Sequence, residues 1–101
     1  VQTLSGGNQQ RSLIARLIEA NPRILILDEP TKGIDVGAIE SIHKTIRSLA
    51  SEGKAVLVVS SYLPEIMALS DRVLVMRDGE LVANFTADEV TEDKVMAAAF
   101  G

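Results

Sequence analysis

Two hydrophobic periods alternate along this chain, and their order predicts its elements. Over residues 8–19 the apolar positions Leu13, Ile14, Leu17 and Ile18 recur at helical spacing, and Asn21-Pro22 marks where that helix stops. Residues 24–27 form a continuous apolar run closed by Asp28 and Glu29, the pattern of a strand buried on both faces of a parallel sheet. Next, Ile39, Ile42, Ile46 and Leu49 make one stripe of a second helix, with Asp35 placed as its N-cap, Glu40 and Lys44 paired on its outer side and Gly53 at its end. Residues 55–59 read as a second buried strand, and Pro64 opens a short helix that runs to about Leu69. The runs 72–77 and 80–85 flank Asp78-Gly79, the preferred dipeptide of a two-residue type I′ hairpin. Thr91 caps a last helix, with Glu92 and Asp93 at its positive end. The sum is an α/β fold with a mostly parallel sheet and a C-terminal β-hairpin.

Composition narrows the class. With 101 residues, 47% of them hydrophobic, the chain can be one small domain or part of one, burying about two thirds of its surface. The net charge of −4 comes from scattered acids and bases without a basic cluster, and one Tyr with two Phe supplies no stacking platform, so nucleic acid is not an expected partner. The absence of cysteine excludes a disulfide scaffold and a thiolate metal site. The longest apolar runs, 24–27 and 55–59, fall far short of the ~20 residues a membrane-spanning helix needs. The single histidine, His43, sits mid-helix beside Ile42 and is expected to be structural.

Chemistry concentrates at two places. Leu4-Ser5-Gly6-Gly7 leads straight into the first helix, so free backbone N–H groups and the positive end of the helix dipole converge on one small concavity. The glycines let a bulky anion reach the backbone, and the Ser5 hydroxyl adds a donor where an N-cap would supply one. The corner suits phosphate. The second place is the tip of the first strand, where Asp28 and Glu29 emerge together. Adjacent strand residues point to opposite sides, so the two carboxylates are expected to face different partners. Alone, Asp28-Glu29-Pro30 is an ordinary polar strand exit; behind the Ser-Gly-Gly corner it reads as chemistry.

Together these segments resemble a known family. Leu4-Ser5-Gly6-Gly7-Asn8-Gln9-Gln10 looks like the signature motif of the ATP-binding-cassette (ABC) ATPases, and Leu27-Asp28-Glu29-Pro30-Thr31 looks like their Walker B segment. Gly33-Ile34-Asp35 resembles the D-loop at the seam between two cassettes, and Val58-Val59-Ser60-Ser61-Tyr62-Leu63-Pro64-Glu65 takes the switch-loop position. Asn8-Gln9-Gln10, Gly33-Ile34-Asp35-Val36-Gly37-Ala38, Ser60-Ser61-x-x-Pro64-Glu65 and the ending Val95-Met96-Ala97-Ala98-Ala99 are similar to the second cassette of tandem ATPase subunits from bacterial ribose, xylose and galactoside importers.

The resemblance implies the C-terminal part of a P-loop NTPase core, with ATP and Mg²⁺ as cofactors. It implies that Asp28 holds the metal through water and that Glu29 orients and deprotonates the attacking water. Ser5, Gly6, Gly7 and Asn8 would complete the ATP site of a partner cassette, and Asp35 would bind across the seam. Ser61 stands where most cassettes carry a histidine against the γ-phosphate, so the site using this chain's own Walker B segment is expected to be impaired. The implied partners are a second cassette, transmembrane permease subunits and, indirectly, a sugar-binding protein, at the cytoplasmic face of the membrane.

No Gly-x-x-x-x-Gly-Lys-Ser/Thr loop occurs in the 101 residues. The resemblance puts that loop before Val1, which makes residues 1–101 a partial nucleotide-binding domain, inactive alone. The family's sheet places the loop's strand between residues 55–59 and 72–77, and the resulting gap predicts self-association of the isolated chain. Two other readings share the motifs: a soluble ABC ATPase unlinked to transport, which predicts coiled-coil or zinc insertions not found between Leu4 and Asp28, and a regulatory cassette that does not hydrolyse ATP.

Overall fold

The computed structural model describes the backbone of residues 6–101 and the side chains of residue 12 and residues 14–101. The chain divides after Ser61 into two compact units.

The first unit runs α1 (Gly6–Ala20), β1 (Ile24–Asp28), α2 (Val36–Ser51), β2 (Ala55–Val59). α1 stops where Asn21 turns left-handed at φ 51° and its N–H closes on the Ile18 carbonyl at 2.9 Å. β1 and β2 pair in parallel from Ile24↔Ala55 to Asp28↔Val59, as a β-α-β crossover requires. α2 packs on α1 and β2, burying Ile42, Ile46 and Leu49; Ile14, Leu25 and Leu27 are buried as well. His43 lies in the buried face of α2, in keeping with a structural role. Gly53, at φ 93°, takes the chain out of α2 in a conformation other residues adopt at a cost. Lys54 Nζ then donates to Asn21 Oδ1 at 2.6 Å and to the Pro22 carbonyl at 3.0 Å, tying together the segments that lead into the two strands.

Four expectations are corrected in this unit, the first being the burial of β2: none of its residues is fully buried, and Leu57 and Val59 remain 49% and 47% exposed. β1 is buried on one face only: Leu25 and Leu27 point inward while Ile24 and Ile26 remain 68% and 66% exposed. A continuous apolar run shows that both faces can be buried, but a cover must exist on each side. Asp35 occupies the N-cap position of α2 without a side-chain cap bond; its carbonyl takes the Ala38 and Ile39 N–H groups at 2.8 and 3.2 Å. Glu40 pairs with Arg47, two turns along, at 2.9 Å, instead of with Lys44.

The second unit holds α3 (Leu63–Leu69), β3 (Arg72–Arg77), β4 (Glu80–Thr86) and α4 (Glu92–Phe100). Asp78 and Gly79 have φ of 52° and 80°, as a type I′ turn demands, and join β3 to β4 in an antiparallel hairpin. A register shift between Val75 and Met76, which face Ala83 and Leu81, leaves Val82 as the extra residue of a bulge. Val73 and Val75 form the buried side of β3, and α4 packs on both strands. Thr91 Oγ1 accepts the Lys94 N–H at 3.1 Å, the predicted cap, and Arg77 Nη1 donates to the Ala98 carbonyl at 3.0 Å. Each strand pair is a separate two-stranded sheet: β2 is hydrogen-bonded to β1 and β3 to β4.

Candidate functional site

The site is built at the C-terminal ends of β1 and β2. β1 finishes at Asp28, whose side chain is exposed at the tip of the strand pair. The next residue leaves the strand. Glu29 has φ 50°, in the left-handed region that non-glycine residues enter at a cost of about 1 kcal/mol or more. The ladder continues through its main chain, because the Glu29 N–H donates to the Val59 carbonyl at 2.6 Å. A tight turn follows, with the Lys32 N–H on the Glu29 carbonyl at 3.2 Å and the Ile34 N–H on the Thr31 carbonyl at 3.1 Å. Pro30 and Thr31 are buried beneath it, and Gly33 supplies φ 76° before the chain enters α2.

The sequence suggested strand alternation for the two carboxylates. Glu29 instead lies one residue past β1, and its left-handed backbone sets the course of its side chain. Its half-buried side chain meets the loop after β2, where the Ser61 N–H donates to Glu29 Oε1 at 2.8 Å. Asp28, Glu29 and Ser61 therefore come together at one end of the strand pair, since Asp28 is also the register partner of Val59. Asp35 is exposed at the start of α2, beyond the turn, and no hydrogen bond joins its carboxylate to these three. Gly6, Gly7 and Asn8 are the first residues of α1, and Ser5 lies outside the described residues. Sequence reasoning missed the main-chain contributors, the Val59 carbonyl and the Ser61 N–H, since neither leaves a trace in side-chain identity.

Among the described residues no group of three or more carboxylate or histidine side chains converges to cage a metal. One exposed carboxylate at a strand tip fits a hard cation that keeps its waters and takes further oxygens from a phosphate ligand. Asp28 has that character. No helix among the described residues is long and apolar enough to cross a membrane.

The ABC transporter family model matches residues 1–32, the stretch from the Ser-Gly-Gly corner through the Asp28-Glu29 tip. An import ATP-binding protein of Pseudomonas syringae pv. tomato, named for ribose, galactose and methyl galactoside, is 55% identical over 101 residues, 100% of this chain and 19% of its own length. The xylose import ATP-binding protein of Escherichia coli is 57% identical over 96 residues, 95% of this chain and 19% of that protein. An ATP-binding cassette solved as a dimer with ADP and Pi superposes with a TM-score of 0.75 at 33% identity, covering 85% of this chain and 37% of the other. Over nearly its whole length the chain resembles ABC ATP-binding cassettes in sequence and in fold. A metal-chelate type ABC transporter in an inward-facing conformation shares the cassette fold at a TM-score of 0.83 and 23% identity, over 98% of this chain and 40% of that one. The chain spans about a fifth of the length of the curated relatives it matches.

Proposed function

We propose that the chain works within the ATP-hydrolysing subunit of an ABC importer that drives monosaccharide uptake, at the cytoplasmic face of the membrane. The observation that carries this reading is identity above one half across nearly the whole chain to proteins named for ribose, galactoside and xylose import. In this reading ATP with Mg²⁺ supplies the γ-phosphoryl group and the charge that polarises it.

The chain's own residues divide between two ATP sites. At its own tip, Asp28 holds the metal through water, and Glu29 orients the attacking water and accepts its proton. Ser61 carries a hydroxyl where an imidazole would be needed to reach the γ-phosphate, which leaves this site the slower of two. The start of α1 serves the other site: the Ser5 hydroxyl and the N–H groups of Gly6, Gly7 and Asn8 face the phosphates held by a second cassette. Asp35 binds across the seam between the cassettes. Permease subunits receive the motion, and a sugar-binding protein delivers the substrate to them.

The test is uptake. The full-length protein is reconstituted with its permease and binding protein in liposomes, and labelled ribose, xylose and galactosides are offered with and without ATP. ATP-dependent accumulation of one of these sugars is expected; ATP hydrolysis that none of them stimulates and that drives no uptake contradicts the reading.

A further inference from the structure

Glu29 adopts a costly backbone, and the cost secures one contact. At φ 50° the residue departs from the strand, with its N–H held on the Val59 carbonyl at 2.6 Å and its own carbonyl held by the Lys32 N–H at 3.2 Å. That turn brings Oε1 to the Ser61 N–H at 2.8 Å. Both anchors of the arrangement, Val59 and Ser61, belong to β2 and its exit, so the neighbouring strand fixes the backbone and the carboxylate of Glu29 together. Among the described residues no other group bonds the Glu29 carboxylate, which leaves Oε2 open to water.

We propose that the Ser61 main-chain N–H is the positioning group of the Glu29 carboxylate, holding Oε1 so that Oε2 is presented to the attacking water. The inference rests on the reading of Glu29 as general base. A charge-assisted bond from a backbone donor is short and directional, and every residue except proline can supply it. Loss of the switch-loop imidazole therefore removes a contact to the γ-phosphate without releasing the base. The loop after β2 acts through its main chain at this site, and the slower site keeps a placed carboxylate.

Amide hydrogen exchange at residue 61, measured in the full-length protein, tests the contact. Ser61 is exposed, so its N–H has little other protection. Exchange is expected to be about ten-fold slower in wild type than in Glu29→Ala, the worth of one such bond. Glu29→Gln keeps an acceptor oxygen and is expected to retain much of the protection, while the amide proton resonance moves upfield as the charge is lost. Equal exchange in wild type and Glu29→Ala overturns the proposal.

A second arm reads catalysis. With Gly7→Val silencing the opposite site, residual turnover reports this one. There Ser61→Pro is expected to lower kcat by about ten-fold at unchanged KM for ATP, and to add nothing once Glu29→Gln is present. A folded Ser61→Pro variant with undiminished kcat also overturns the proposal. If Glu29→Gln alone leaves residual turnover intact, the reading of Glu29 as base falls instead, and the exchange rates still report whether the N–H holds the carboxylate.

Discussion

Glu29 carries a strand exit and, in the proposed reading, the general base as well. Its apolar neighbours make a strand of β1, but the turn at φ 50° is set by partners on β2, so nothing in the local sequence announces it. The motif residues themselves were legible, because Asp28 and Glu29 close an apolar run; the main-chain bond to Ser61 was not, because any residue there offers the same N–H. Burial separates the other residues of β1. Leu25 and Leu27 are buried and Ile26 is exposed, so Leu25→Ala is expected to cost about 2–5 kcal/mol of the chain's stability and Ile26→Ala well under that. Chemical denaturation of the two variants measures the difference, and equal losses would mean that Ile26 is covered too.

At the scale of elements, local signals were read well where the determinant is local. The Asp78-Gly79 turn needs positive φ at two successive residues, and the pair that tolerates it stands there. Thr91 was recognised as a cap, and its hydroxyl oxygen takes the Lys94 N–H. Asp35 sits at the corresponding place on α2 without that bond, because cap position follows from sequence while the side-chain rotamer answers to its surroundings. The outer face of α2 gives the same lesson, since Glu40 reaches Arg47 at 2.9 Å. Thr91→Ala is therefore expected to destabilise the chain by about 1 kcal/mol, and Asp35→Ala by less. Gly79→Val forces a β-branched residue to φ 80° and is expected to cost about 1–2 kcal/mol or more. Thermal denaturation of the three variants ranks them, and an Asp35→Ala loss exceeding that of Thr91→Ala contradicts the cap assignments.

At the scale of the whole molecule, the parallel pair of strands presents an apolar face, with Ile24, Ile26, Leu57 and Val59 exposed, and among the described residues each of these strands pairs on one side only. An open edge beside an apolar face favours pairing with another chain. The isolated 101-residue chain is expected to self-associate at tens of micromolar, and Ile26→Lys to weaken that association; light scattering that gives a monomer for the unsubstituted chain contradicts this. No Gly-x-x-x-x-Gly-Lys-Ser/Thr loop lies in the chain, so calorimetry should find negligible Mg-ATP binding, and a micromolar dissociation constant would show a phosphate cradle in another form.

The central claim is that the chain serves two ATP sites unequally, and paired substitutions in the reconstituted transporter test it most directly. In the proposed reading a phosphate approaches the backbone at the start of α1, where Gly7→Val puts bulk, so turnover at saturating ATP is predicted to fall by about 10²-fold, the scale of losing a donor to transition-state charge. In the same reading Glu29→Gln strikes the site where Ser61 stands in place of a histidine, and it is predicted to cost much less. Abolition of turnover by Glu29→Gln, with Gly7→Val near wild type, would reverse the assignment of the two sites.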